Sequence, residues 1–193
     1  DAKYTLVGNG SKPLIYLLLS CWKNPIILLT PCWLTYIEDM KILGKKYLVV
    51  ENKQENNYHI NLEDLELTFI NNPGSLLFLN NPVNPTGVVY SEKEIQELAI
   101  LCEKYNITVF DDQIYKYVSQ TKVVSISKYY SKVIVSSSLS KAWAAGGWRF
   151  GWLVFSSELE EGFKLMRRIG SSMYSCPTQF LNNVASIGGI ILK

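Results

Sequence analysis

The strongest constraint on how this chain can fold is the alternation of short apolar runs with helical patterns. The runs Ile26–Thr30, Tyr47–Val50, "SLLFLN" (75–80), "ITVFDD" (107–112), "KVIVSSS" (132–138) and "FGWLVF" (150–155) read as buried strands. Between them lie an amphipathic stretch at Leu34–Leu43, a helical stretch at Leu62–Ile70 and the segment "SEKEIQELAILCEKY". In that last segment Ser91 and Glu94 have the spacing of a capping box, and Ile95, Leu98, Ala99 and Cys102 fall on one helical face. Ser157 and Glu160 repeat the capping spacing and open a helix expected to run to about Arg168. Strands fully apolar on both faces, joined by helices, predict βαβ units: an α/β fold with a mostly parallel sheet between two helical layers.

At 193 residues the chain can bury one sizeable core. A net charge of +2 with no lysine or arginine stripe gives no footprint for nucleic acid. The apolar run Leu14–Trp22 is too short to span a bilayer, and no secretory or transit pattern stands at the start. Cys21, Cys32, Cys102 and Cys176 are scattered with no CxxC pair, which favours free thiols in a reducing, cytoplasmic setting over disulfides or a metal site. His59 is the only histidine and lies in a polar stretch, so it reads as a surface residue and weakens Ser-His-Asp and histidine–zinc schemes. The chain opens on Asp1 and reaches a glycine loop within a dozen residues, which suggests an internal piece of a longer protein.

Ligands of a parallel sheet bind beyond the carboxyl ends of its strands. The polar residues 80–84, Asp111, Asp112 and Ser136 to Ser138 all fall at such ends, so one shared rim is expected. Four motifs lie on or beside it. "GNGSKP" (8–13) opens a helix whose free amides suit a phosphate, although an ordinary capped loop has the same composition and the third glycine of a dinucleotide fingerprint is replaced by Pro13. "NNPVNPTG" (80–87) is either plain turn chemistry or a bend that fixes a side-chain amide against a ligand. "FDDQIY" (110–115) ends a strand with two carboxylates: either they cap the loop, or one holds a proton on a ligand nitrogen with Tyr115 nearby. "SLSK" (138–141) fits the S-x-x-K pattern of serine acyl-transfer enzymes, but the companion motifs S-D-N and K-T-G are absent.

Together these pieces resemble the pyridoxal-phosphate-dependent aminotransferases of class I and II, the aspartate aminotransferase-like enzymes of fold type I. The resemblance is carried by "NNPVNPTG", "DDQIY" and "SLSKAWAAGGWRFGW". It extends to "GNGSK", "TPCWLTY" and "SSMYSCPTQ", nearly the whole chain. It implies a three-layer α/β/α large domain over residues 1–170, with 171–193 starting the passage to a small domain, and pyridoxal 5'-phosphate as cofactor. Lys141 would hold the cofactor aldehyde as a Schiff base and later move the substrate α-proton. Asp112 would keep the pyridine nitrogen protonated, Asn84 and Tyr115 would hydrogen-bond the phenolic oxygen, and Trp33 would stack on the ring. Arg149, Ser138 and the loop Gly10, Ser11 and Lys12 would hold the phosphate. The S-x-x-K serine then becomes a phosphate ligand rather than a nucleophile.

The implied activity is amino transfer from an amino acid to a 2-oxo acid in a homodimer. A lyase or synthase of the same fold shares these residues, and a non-enzymatic aminotransferase-like regulator domain is a further alternative. The departures are "KNPIILL" without the usual Gly-Asp, Gln113 where glutamate is common, and Gly146 where a threonine often sits. No position matches the arginine for the substrate carboxylate or the N-terminal tyrosine that reaches the neighbouring subunit, so the isolated piece is expected to have little turnover.

Overall fold

In a computed structural model, which describes residues 2–176, the alternation resolves into strands β1 (Thr5–Gly8), β2 (Ile26–Thr30), β3 (Tyr47–Glu51), β4 (Leu76–Asn80), β5 (Thr108–Asp112), β6 (Val133–Ser138) and β7 (Gly151–Phe155). The helices are α1 (Ser11–Cys21), α2 (Leu34–Ile42), α3 (Leu62–Asn71), α4 (Glu92–Lys104), α5 (Leu139–Ala142) and α6 (Glu160–Tyr174). The strands form a 7-stranded sheet in the order β1-β7-β6-β5-β4-β2-β3. β3, β2, β4, β5 and β6 run parallel, and β7 is antiparallel to both of its neighbours. The expected α/β architecture is therefore present.

Side chains alternate across the sheet with a period of two, and each face has its own core. Ile27, Leu29, Leu77, Leu79 and Val109 pack with Leu65 and Phe69 of α3 and Ile95 and Leu98 of α4. Ile26, Leu28, Leu76, Phe78 and Phe110 pack on the other face with Leu14 and Leu18 of α1, Tyr36 and Met40 of α2, and Phe163 and Met166 of α6. Central strands covered on both faces cannot take water, which is why their sequences show continuous apolar runs.

Two helix starts illustrate how local signals fare. At α4 the capping box forms: Ser91 Oγ accepts from the Glu94 amide at 3.2 Å and Glu94 Oε2 accepts from the Ser91 amide at 2.8 Å. His59, expected at the surface, is 40% exposed and its Nδ1 lies 2.8 Å from Glu94 Oε1. The second expected box does not form. Residues 157–159 make a 3-10 turn, and α6 begins at Glu160 with no side-chain cap. The Glu160 carboxylate instead accepts from the Tyr4 hydroxyl at 3.3 Å and pairs with Lys164, so tertiary partners take the group that the local motif would use. α6 also runs past Arg168, and past the expected division at residue 170, to Tyr174. Pro177 to Gln179 of the "SSMYSCPTQ" motif, and most of the 171–193 passage, lie outside the described residues.

Parallel strands end at one edge, so Thr30, Asn80, Asp112 and Ser138 share a rim. β7 starts at that edge, with Gly151 between Gly8 and Ser138. A side chain on Gly151 has no room, because a Cβ there would stand 2.4 Å from the Ser11 amide nitrogen and 2.5 Å from the Gly10 carbonyl carbon. Both neighbours are backbone, so the β1–α1 loop would have to move. Gly151→Ala is expected to destabilise the chain by about 1–3 kcal/mol, the usual effect of overpacking. Chemical denaturation would read this, and a midpoint equal to wild type would disprove the close approach.

Candidate functional site

The centre of the rim is Asp112, the last residue of β5, which is only 3% exposed. Its Oδ2 accepts from the Tyr36 hydroxyl at 2.6 Å and its Oδ1 from the Ile114 amide at 3.3 Å. Burial is the main force on this carboxyl and raises its pKa from the ordinary 3.8 to about 6, while the Tyr36 bond pulls the other way. The adjacent Asp111 points to the opposite face, by the same alternation that separates Val109 from Phe110. Among the described residues no cation pairs with this nearly buried carboxylate, which suits a ligand that brings its own positive charge.

Asn80 Nδ2 donates to the Asp112 carbonyl at 3.0 Å, while its Oδ1 accepts from the Asn84 amide at 2.8 Å. The polar bend is thereby tied to the strand end, with cis peptides at Asn81–Pro82 and Asn84–Pro85. Asn84 Nδ2 in turn donates to the Tyr115 hydroxyl at 3.3 Å, so two polar groups expected to serve one oxygen do stand side by side. The three-residue step from Asp112 to Tyr115 is a turn, closed by the Lys116 amide donating to the Gln113 carbonyl at 3.0 Å.

The other end of the cleft is cationic. Gly10 has φ +99°, a left-handed value that a side chain rarely adopts, and precedes α1 with no side-chain cap. The first amides of α1 are therefore available to an anion. The Arg149 guanidinium fills the space where a Gly10 Cβ would sit, 2.3 Å from its Nη2. It donates to the Gly146 carbonyl at 2.8 Å and the Asn9 carbonyl at 3.3 Å. Neither bond neutralises its charge. The Lys12 ammonium lies 5.0 Å from the centre of the Trp33 ring.

Lys141 is exposed on α5, with Nζ 5.8 Å from the centre of the Tyr115 ring. Among the described residues neither Lys141 nor Arg149 forms an ion pair. Ser11, Lys12, Trp33, Asn84, Asp112, Tyr115, Lys141 and Arg149 all line one cleft of about 300 Å³, the size range of small-ligand sites. Gly10 and Ser138 are not among the residues lining it, and Ser138 is buried. The Ser138 hydroxyl accepts from the Ser140 amide at 3.2 Å, and it is Ser140 that reaches the lining.

Tyr36 was not singled out by sequence. It is buried, bonds Asp112, and meets the Trp33 ring edge-on at 5.3 Å between centroids. One side chain thus braces two site residues. The available signal was its position three residues after Trp33 at a helix start, which puts both on one face. Asn80 was expected on the rim and does line the cleft, but its role in anchoring the bend depends on a backbone fold that the motif's letters do not reveal.

Residues 1–187 match the family described as aminotransferase class I and II. The aspartate aminotransferase of Sulfolobus acidocaldarius is 32% identical, over 96% of this chain and 48% of that protein. The asparagine–oxo-acid transaminase of Streptococcus mutans is 30% identical, over 82% of this chain and 42% of that protein. Among solved structures, the aspartate aminotransferase of Thermotoga maritima superposes with a TM-score of 0.83 at 26% identity, covering 93% of this chain and 48% of that one. The chain spans about half the length of the curated relatives it matches.

Two outcomes follow from the Asp112 environment. The raised pKa means the folded, ligand-free chain holds this proton more tightly than the unfolded chain does. Stability should therefore fall as pH rises from 3.8 to about 6, by about 3 kcal/mol. Asp112→Asn should flatten that slope and leave the ligand-free protein more stable than wild type at pH 7, as read by denaturation at a series of pH values. Tyr36→Phe removes the stronger of the two bonds to the ionised carboxylate, so it should steepen the loss. An unchanged pH profile in both variants would show that burial does not set this pKa.

Proposed function

The chain belongs to the aminotransferase class I and II family, and from that premise we propose that it forms the cofactor-binding core of a pyridoxal-phosphate-dependent aminotransferase that passes an amino group from an amino acid to a 2-oxo acid. The observation that carries this reading is that an amine and a guanidinium with no ion pair among the described residues, Lys141 and Arg149, and a buried carboxylate, Asp112, stand around a single cleft. The donor set suits pyridoxal phosphate at both ends, an uncapped helix start and a guanidinium for a phosphate, and a buried carboxylate for a ring nitrogen.

When bound, pyridoxal phosphate supplies an aldehyde for an amine to join and a ring that draws electrons from an amino acid's α-carbon. The Lys141 amine, held by no acidic partner, is the group that would bond to the aldehyde. Displaced by the substrate, it would take the proton from the α-carbon and return it elsewhere. Asp112 would hold a proton on the ring nitrogen, and that positive charge would draw the carboxyl's pKa back down. Asn84 and Tyr115 would donate to the phenolic oxygen, and Trp33 would cover one ring face. Arg149, Ser11 and the first amides of α1, with Gly10 giving access, Lys12 adding charge and Ser138 setting the Ser140 wall, would hold the phosphate.

The same reading assigns residues 1–170 to the large domain and 171–193 to the passage toward a small domain. It also includes a homodimer in the cytoplasm; among the described residues no helix is long and apolar enough to cross a membrane. The names of the relatives differ in amino donor, aspartate in one and asparagine in the other. We assign the choice of donor to the half of those proteins that lies beyond the match.

Mixing the chain with pyridoxal phosphate should give a yellow band that borohydride fixes to the Lys141 peptide, and Lys141→Ala should abolish it. Arg149→Lys keeps the charge but loses the planar fork, so binding should weaken about thirtyfold, the equivalent of ~2 kcal/mol for a charge-assisted bond. A spectrum unchanged by the cofactor, or a borohydride label on another lysine, would sink the assignment.

A further inference from the structure

The turn that carries Asp112 and Tyr115 has a second set of polar residues on its other side. We propose that Asp111, Gln113 and Lys116 form a brace that positions Asp112 and Tyr115 toward the cleft; its functional meaning rests on the reading above. Lys116 Nζ donates to Gln113 Oε1 at 3.2 Å, and Gln113 Nε2 donates to Asp111 Oδ2 at 2.6 Å. The Ser125 hydroxyl reaches the same Asp111 oxygen at 2.7 Å, tying the brace to the loop that follows. The amide of Gln113 thus links a half-buried ammonium to a buried carboxylate, each hydrogen bond polarising the next.

The placement follows from period two. Asp111 and Asp112 face opposite sides of the sheet, and the backbone then turns so that residues 111, 113 and 116 join behind the segment while 112 and 115 line the cleft. Asp111 is 1% exposed and Gln113 4%, so the bond between them is shielded from water. The Gln113 amide also donates to the Ser136 carbonyl at 2.9 Å, which fixes the turn to β6. Burial raises the Asp111 pKa while the Ser125 and Gln113 bonds lower it.

This explains the departure at position 113. A glutamate there would set a second carboxylate against Asp111 at the distance now spanned by a 2.6 Å hydrogen bond, with no donor between them. Asp111 therefore requires a neutral donor at 113. An exchange of the two chemistries, Asp111→Asn with Gln113→Glu, restores one donor and one acceptor and lets residue 113 face Lys116 as a carboxylate.

The test measures hydrogen exchange at the Ile114 and Lys116 amides in the cofactor-free chain. It adds the affinity and absorption maximum of bound pyridoxal phosphate. Gln113→Glu should lower protection at both amides about tenfold, weaken cofactor binding and shift the absorption maximum. The double variant should return all three to within about twofold of wild type. Lys116→Met, altered at the half-buried end of the brace where folding is not at stake, should lower protection at Lys116 without unfolding the chain. Wild-type exchange in Gln113→Glu, or a double variant no better than the single, overturns the brace. If the wild-type chain takes up no cofactor, the functional reading fails while amide exchange still decides the brace.

Discussion

A carboxylate buried at the end of a central strand is costly unless its environment answers it, and the rest of the site is organised around that requirement. Asp112 receives one tyrosine hydroxyl and one backbone amide, and among the described residues it forms no ion pair. Burial raises its pKa to about 6 against the pull of those bonds. The environment is thus incomplete in the ligand-free chain in a way that a protonated ring nitrogen would complete. The ionised carboxylate therefore lowers the stability of the ligand-free chain at neutral pH.

The same economy governs the other end of the cleft. A helix start without a side-chain cap leaves amides free, and a glycine at φ +99° leaves space for a guanidinium. Gly10 and Gly151 let the β1–α1 loop, β7 and Arg149 approach within distances that any side chain would block. Lys12, Lys141 and Arg149, none of them in an ion pair among the described residues, then line the cleft from α1, α5 and the loop after α5. A cationic end and a carboxylate end therefore arise from different elements around one sheet edge.

Tyr36 joins the two halves of this arrangement. Its hydroxyl fixes Asp112 while its ring packs against Trp33 and Phe78, so the residue proposed to stack on a ring and the residue proposed to hold that ring's nitrogen share one support. The coupling is a consequence of α2 starting at the rim, immediately after Trp33.

Sequence by itself determined six of the seven strands, the helices other than α5 and a mostly parallel sheet, because period-two and period-3.6 patterns report burial directly, whereas β1, α5 and the antiparallel setting of β7 appeared only in the structure. It also determined the residue types in the site, since glycine, lysine, aspartate and arginine at those spacings carry their chemistry in their side chains. It misread Ser157–Glu160, where Tyr4 and Lys164, distant and near, compete for one carboxylate. It passed over Tyr36, and it placed Asn80 on the rim without its anchoring role, because what each does lies in partners 76 and 32 residues away. Only the tertiary structure decided which face each carboxylate takes, how deeply Asp112 is buried, and that Lys141 and Arg149 form no ion pair among the described residues. Those properties depend on desolvation and on contacts between segments remote in sequence, and no local pattern encodes either.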